Sequence, residues 1–112
     1  MIIDFESLEA TVIPNFRGGE KTTVANMFVD NNNKIMMGKL EPLASIGMHT
    51  HDKNSEIIYI LSGEGKCLYD DDVDYLKAGF CHYCPMGHSH SLINTSEVED
   101  LLFFAVIPEH QN

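Results

Sequence analysis

The chain has 112 residues, room for one domain with its own core and too little for two. Seventeen acidic residues against seven Lys and Arg give a formal charge of −10, a field that repels phosphate backbones, so nucleic acid is not an expected partner. No apolar run approaches the roughly 20 residues that span a bilayer, so no membrane partner is expected either. The opening residues Met1-Ile2-Ile3-Asp4-Phe5-Glu6 lack the basic flank and long apolar stretch of a signal peptide. Cys67, Cys81 and Cys84 are an odd set without framework spacing, which reads as reduced thiols. A cytoplasmic location is the expectation.

In chain order, Phe5 to Thr11 fits a short helix, and Thr22 to Val29 is the first strand candidate. Asp30-Asn31-Asn32-Asn33 reads as a hairpin turn, because Asn and Asp tolerate left-handed backbone angles. Lys34 to Leu40 is the return strand. Glu56 to Leu61, β-branched and aromatic, is the strongest strand signal. Ser62-Gly63-Glu64-Gly65 turns into Lys66 to Tyr69, and Asp70-Asp71-Asp72 leads to Val73 to Leu76. Lys77-Ala78-Gly79 turns again into Phe80 to Cys84, which Pro85-Met86-Gly87 breaks. His90 to Ile93 and Leu101 to Ile107 complete the set. Short strands at roughly ten-residue spacing are the pattern of an all-β sandwich or barrel in a single domain. Leu101 to Ile107 is apolar without alternation, which implies cover on both faces by a crossing sheet or by a second subunit; a homodimer is the expectation.

Five of the six histidines fall between residues 49 and 90. His49 and His51 are two residues apart, so on an extended segment their rings share a face. Glu56 opens the next strand after a short turn, and His90 begins a later one. Three imidazoles and one carboxylate suit manganese, iron, cobalt, nickel or zinc, and a six-coordinate ion on four protein ligands would keep two open positions. A lone H-x-H pair fits exposed turn histidines equally well, so the full spacing has to decide.

That spacing resembles the cupin superfamily. Its first motif, G-x5-H-x-H-x(3,4)-E-x6-G, here runs Leu43, five residues, His49-Thr50-His51, four residues, Glu56, six residues, Gly63. Its second, G-x5-P-x-G-x2-H-x3-N, runs Gly79, five residues, Pro85-Met86-Gly87, two residues, His90, three residues, Asn94. Only Leu43 departs from the pattern. The resemblance covers about residues 34–107 and implies an antiparallel β-barrel of jelly-roll type with a metal inside it. Carried over residue by residue, the metal ligands fall on His49, His51, Glu56 and His90, and manganese is expected ahead of iron, nickel or zinc. Gly63 and Gly87 sit where a positive φ is cheap only for glycine. Leu43 after Pro42 is ill suited to a type II turn, so a type I or otherwise altered turn is expected there.

If Glu56 and His90 point inward, so do Ile58, Ile60, Leu92 and Asn94, and the first three become candidate substrate-binding residues. Lys39 is a candidate anion clamp, and His82, Tyr59 and Tyr83 are candidate proton donors. His82 reads more simply as a structural histidine, and the tyrosines as packing residues. Cys81 and Cys84, three apart on a strand, face opposite ways and read as packing thiols. The only arginine, Arg17, lies in a turn before the first strand at unknown distance from the ligands. Small cupins of this kind look like oxalate-decarboxylase-related proteins, dioxygenases, isomerases and lyases. The expectation is therefore a small carboxylate or other oxygenated metabolite chelated at one divalent metal, with a non-catalytic ligand- or metal-sensing module as the alternative.

Overall fold

The computed structural model describes residues 1–110. Ten strands run β1 Thr11–Pro14, β2 Thr22–Val29, β3 Asn33–Leu40, β4 His49–Thr50, β5 Glu56–Ser62, β6 Glu64–Tyr69, β7 Asp72–Lys77, β8 Cys81–Cys84, β9 Ser89–Asn94 and β10 Leu101–Pro108. They form two antiparallel sheets, a six-stranded one ordered β1-β2-β3-β10-β5-β8 and a four-stranded one ordered β4-β9-β6-β7. No described helix is long and apolar enough to cross a membrane.

The turn chemistry explains where the chain reverses. Asp30 Oδ1 accepts the backbone N–H groups of Asn32 and Asn33 at 2.9 and 2.8 Å, closing the β2–β3 hairpin. Gly63 and Gly87 adopt φ of 93° and 91°, as their motif positions require. Beyond the turns, side-chain alternation sorts each strand into two faces. On β10, Leu101, Phe103 and Ala105 are fully buried, whereas Leu102 is exposed and Phe104 and Val106 are half-covered. Cover on both faces is therefore only partial. The outer side of Phe104 meets the Phe5 ring edge-on with centroids 6.2 Å apart.

The core joins the inner rows of both sheets through Met36, Leu40, Ile58, Ile60, Leu92 and Phe103, among others. Its composition changes along the barrel. β9 points His90, Leu92 and Asn94 inward, and β5 points Glu56, Ile58 and Ile60 inward. Polar donors thus gather at one end, and aliphatic side chains fill the middle. At the far end Asn94 is a structural clamp: its Nδ2 donates to the Leu40, Glu41 and Glu99 carbonyls at 2.8–3.1 Å, and its Oδ1 accepts the Ser96 N–H at 2.9 Å.

Two expectations fail. In place of a helix over Phe5 to Thr11 there is a single 3-10 turn at Phe5–Ser7, followed by β1. Pairing of Thr11–Pro14 with β2, and the Asn26 Nδ2 bond to the Leu8 carbonyl at 2.8 Å, outweigh the local helical preference. Leu43 was expected to avoid the left-handed region, yet its φ is +63°. Ala44 N–H donates to the Glu41 carbonyl at 2.9 Å and Leu43 N–H to the Ser96 carbonyl at 3.0 Å, so the surrounding hydrogen bonds impose the angle that glycine usually takes. Left-handed geometry costs a non-glycine residue about 1–2 kcal/mol, and the Leu43 side chain, 45% exposed, recovers only part of that by burial.

Leu43→Gly is therefore expected to stabilise the fold. After allowing about 0.5–1 kcal/mol for the extra chain entropy of glycine, the net gain is about 0.5–1 kcal/mol. In thermal unfolding this should raise Tm by about 2–5 °C; a lower Tm would show that the leucine side chain contributes more than its backbone costs.

Candidate metal centre and its mouth

β4, β5 and β9 bring the four motif side chains together. His49 pairs with His90 across β4 and β9, and Glu56 starts β5 after the Asp52–Ser55 turn. His90 Nε2 lies 2.9 Å from Glu56 Oε1, 3.0 Å from His51 Nε2 and 3.1 Å from His49 Nε2. His51 Nε2 is 3.1 Å from Glu56 Oε1, and His49 Nε2 is 3.7 Å from it. His51, Glu56 and His90 are buried, and His49 is partly so.

These contacts cannot all be hydrogen bonds. An imidazole Nε2 carries at most one proton, and here one such nitrogen meets three polar atoms at contact distance. Donors about 2.1 Å from one ion and about 90° apart would stand about 3.0 Å from each other, close to most of these spacings. The donor set therefore fits a small divalent cation bound by His49, His51, Glu56 and His90.

The outer nitrogens are arranged to match. His49 Nδ1–H donates to the Gly47 carbonyl at 2.7 Å, and His51 Nδ1–H donates to Asn54 Oδ1 at 2.5 Å. Asn54 is held in turn by its Nδ2 bond to Glu109 Oε1 at 3.1 Å. With Nδ1 carrying the proton, each Nε2 keeps a lone pair aimed inward. Burial by itself would raise the Glu56 pKa, but in the absence of a metal the facing His49, His51 and His90 rings, which can donate to Glu56 when protonated, hold its carboxyl well below the usual range. Burial lowers the His51 pKa, yet the bonds to Glu56 and Asn54 outweigh it and leave it raised. For His90 burial prevails over Glu56, and its pKa is lowered.

A cavity of about 210 Å³ opens above His49, His51 and Glu56, walled by Ile13, Phe16, Met27, Met36, Ile46 and Ile107, with Arg17 and Lys34 as its cations. Arg17, unplaced by the sequence, lies near enough for its charge to oppose protonation of His51. Its loop is strained and pinned. Asn15, Arg17 and Lys21 have φ of 51°, 56° and 55°, a cost of about 1 kcal/mol or more each. Gly47 N–H donates to the Phe16 carbonyl at 2.9 Å. A Cβ on Gly47 would stand 2.0 Å from the Arg17 carbonyl oxygen, and one on Gly19 would stand 2.1 Å from that of Ser45. Only glycines allow the two loops to approach this closely.

Other candidate residues fall elsewhere. Tyr59 and Tyr83 alternate with inward Ile58 and His82 and are exposed on the outer face, so neither serves as a proton donor in the barrel. Lys39 is exposed on that same side, because it alternates with buried Gly38 and Leu40; Lys34, five residues earlier and of opposite parity, reaches the mouth. Ile58, Ile60 and Leu92 do point inward, but they belong to the closed core and not to the cavity wall. His82 is buried, with Nε2 3.0 Å from His90 Nδ1. His88 is half-exposed and pairs with Asp70 at 2.6 Å. Cys81 is exposed and Cys84 buried, and all three thiols are free. Asn54 and Gly47, each within three residues of a candidate ligand, are orienting groups that no motif position marks.

The cupin domain family matches residues 36–107. A Thermotoga maritima protein named oxalate-binding protein is 36% identical over 114 residues, spanning 96% of this chain and 93% of its own. The crystal structure of a predicted oxalate decarboxylase from the same organism superposes with a TM-score of 0.90 at 32% identity, covering 97% of this chain and 99% of that one. An RmlC-like cupin from Shewanella frigidimarina has a TM-score of 0.80 at 15% identity, covering 99% and 92%, a likeness of fold alone. With the two motifs, the double sheet and the family match in agreement, the chain belongs to the cupin family.

Proposed function

We propose that the chain binds a small carboxylate, oxalate first, at one divalent metal held by His49, His51, Glu56 and His90. Manganese is the first choice of ion, ahead of iron, nickel and zinc. One observation carries this reading: four donor atoms converge at contact distance beneath a small cavity that also holds Arg17 and Lys34. When bound, a six-coordinate ion supplies Lewis acidity and two positions for chelation. The residues do the rest. Arg17 and Lys34 offset the −10 field at the mouth and give the uncoordinated end of an anion a partner. The apolar wall excludes water and strengthens each charge interaction inside it. A cavity of about 210 Å³ is smaller than the roughly 300–1,000 Å³ of drug-sized sites, which favours an acid of few carbons. The name of the Thermotoga relative supports the same ligand class.

Turnover is the second reading, in the form of decarboxylase-, dioxygenase- or isomerase-like chemistry. The description of one related structure as a predicted oxalate decarboxylase favours it. Against it, among the described residues Lys34 is the one ordinary acid–base side chain lining the cavity outside the donor set. Oxalate bound by manganese-loaded protein without conversion supports the binding module, and release of formate and carbon dioxide supports the enzyme.

A second copy of this chain is the proposed partner. The outer face of the six-stranded sheet exposes Ile57, Tyr59, Leu61, Tyr83 and Leu102, an apolar area on an otherwise strongly acidic chain. The three free thiols fit a reducing compartment, and the cytoplasm is the proposed location.

Three outcomes are expected. His49→Ala or His90→Ala should cut the metal content of purified protein sharply while Cys81→Ser leaves it intact; unchanged metal in both histidine variants would defeat the assignment. Arg17→Ala should weaken oxalate binding about tenfold or more, as expected for loss of one charged partner in a confined site, with metal content retained, as read by calorimetry. Sedimentation should show a dimer for the parent and a monomer for Leu61→Asp, and a monomeric parent would overturn the dimer.

A further inference from the structure

The three candidate imidazole ligands are not held alike. His49 and His51 donate through Nδ1 to fixed oxygen acceptors, the Gly47 carbonyl and the Asn54 amide. His90, the most buried of the three, faces another histidine instead. Its Nδ1 meets His82 Nε2 at 3.0 Å, with ring centres 5.2 Å apart and planes 21° from parallel. An imidazole nitrogen either donates or accepts, so this contact alone leaves the His90 proton unassigned. The next residue assigns it. His82 Nδ1 lies 3.0 Å from Asp74 Oδ2, and an ionised carboxylate only accepts. A singly protonated His82 ring therefore carries its proton on Nδ1, its Nε2 accepts, His90 Nδ1 donates, and His90 Nε2 is left with a lone pair facing Glu56, His49 and His51.

Asp74 and His82 lie on β7 and β8, the edge strands of the two sheets, which do not pair with each other. The bond between them is made by side chains alone. The Asp74 side chain is 47% exposed and that of His82 is fully buried, so the chain of donors runs from the surface to the centre. The Tyr69 ring packs edge-on to His82 at 5.6 Å and helps set its plane. The Cys67 thiol lies within 4.8 Å of the facing nitrogens, and as a neutral thiol it is too weak a partner to displace the carboxylate.

The geometry points to Asp74 and His82 as positioning residues for the metal centre: through His82, a carboxylate at the barrel surface selects the tautomer in which His90 can ligate. The tautomer assignment stands on geometry alone, and its consequence for affinity rests on the proposed metal site.

Long-range ¹H–¹⁵N NMR of the metal-free protein reads the tautomer directly. His90 is expected in the Nδ1–H form in the parent and as a mixture of tautomers in Asp74→Ala. Competition of a fluorescent chelator for manganese(II) reads the consequence. The Kd should rise about 10–100-fold in Asp74→Ala and in His82→Phe, and Asp74→Ala should add nothing in the His82→Phe background. Asp74→Glu should restore most of the affinity. The metal-free Tm of Asp74→Ala should stay within about 2 °C of the parent, since surface substitutions have small effects; this half-exposed position carries the test if His82→Phe does not fold. An Nε2–H form of His90 in the parent overturns the proposal. So do unchanged affinities, or an Asp74→Ala loss that persists in the His82→Phe background, which would mark a through-space charge effect. A parent in the Nδ1–H form that binds no manganese would sink the metal assignment while upholding the tautomer selection.

Discussion

Three imidazole nitrogens and one carboxylate oxygen meet inside the barrel at separations no set of hydrogen bonds can satisfy. Without a cation, their lone pairs repel across a site of low polarity, where such repulsion is strong. Much of the local architecture answers this constraint. The Asp52–Ser55 turn returns Glu56 to the face of His49 and His51, and the β4–β9 pairing sets His49 against His90. Each ring has its outer nitrogen engaged, so the inner one is free to face the common point.

The rest of the barrel isolates this point. Aliphatic residues fill the middle of the inner rows, and Asn94 ties the far end with bonds to three carbonyls. The cavity wall near the donors is thus largely apolar, and Arg17 and Lys34 are the two cations that line it.

Much of this was legible in the sequence because period-two alternation and motif spacing are local properties. Eight strands lie within a few residues of their expected ends, and the four donors converge as the spacing implied. What escaped depends on contacts between distant segments. β1 exists through its pairing with β2, although its own residues also fit a helix. Leu43 takes a glycine-like angle because Ser96 and Glu41 impose it, and no local rule about Pro42-Leu43 contains Ser96. Parity separated Lys34 from Lys39 only once the inward face of β3 was known, and the same alternation moved Tyr59 and Tyr83 outside. Arg17 could not be placed because its loop is positioned by backbone contact with residues about 30 positions away, through two glycines that belong to no motif.

Gly47 serves both parts of the site. Its carbonyl orients His49, and its amide holds the loop that carries Arg17. One residue therefore sets the span between the ion's position and the arginine backbone, and the strained angles on either side of Arg17 leave that span little freedom. In the proposed complex, a span fixed in this way would select the bound anion by length, favouring one that reaches from ion to guanidinium without buckling.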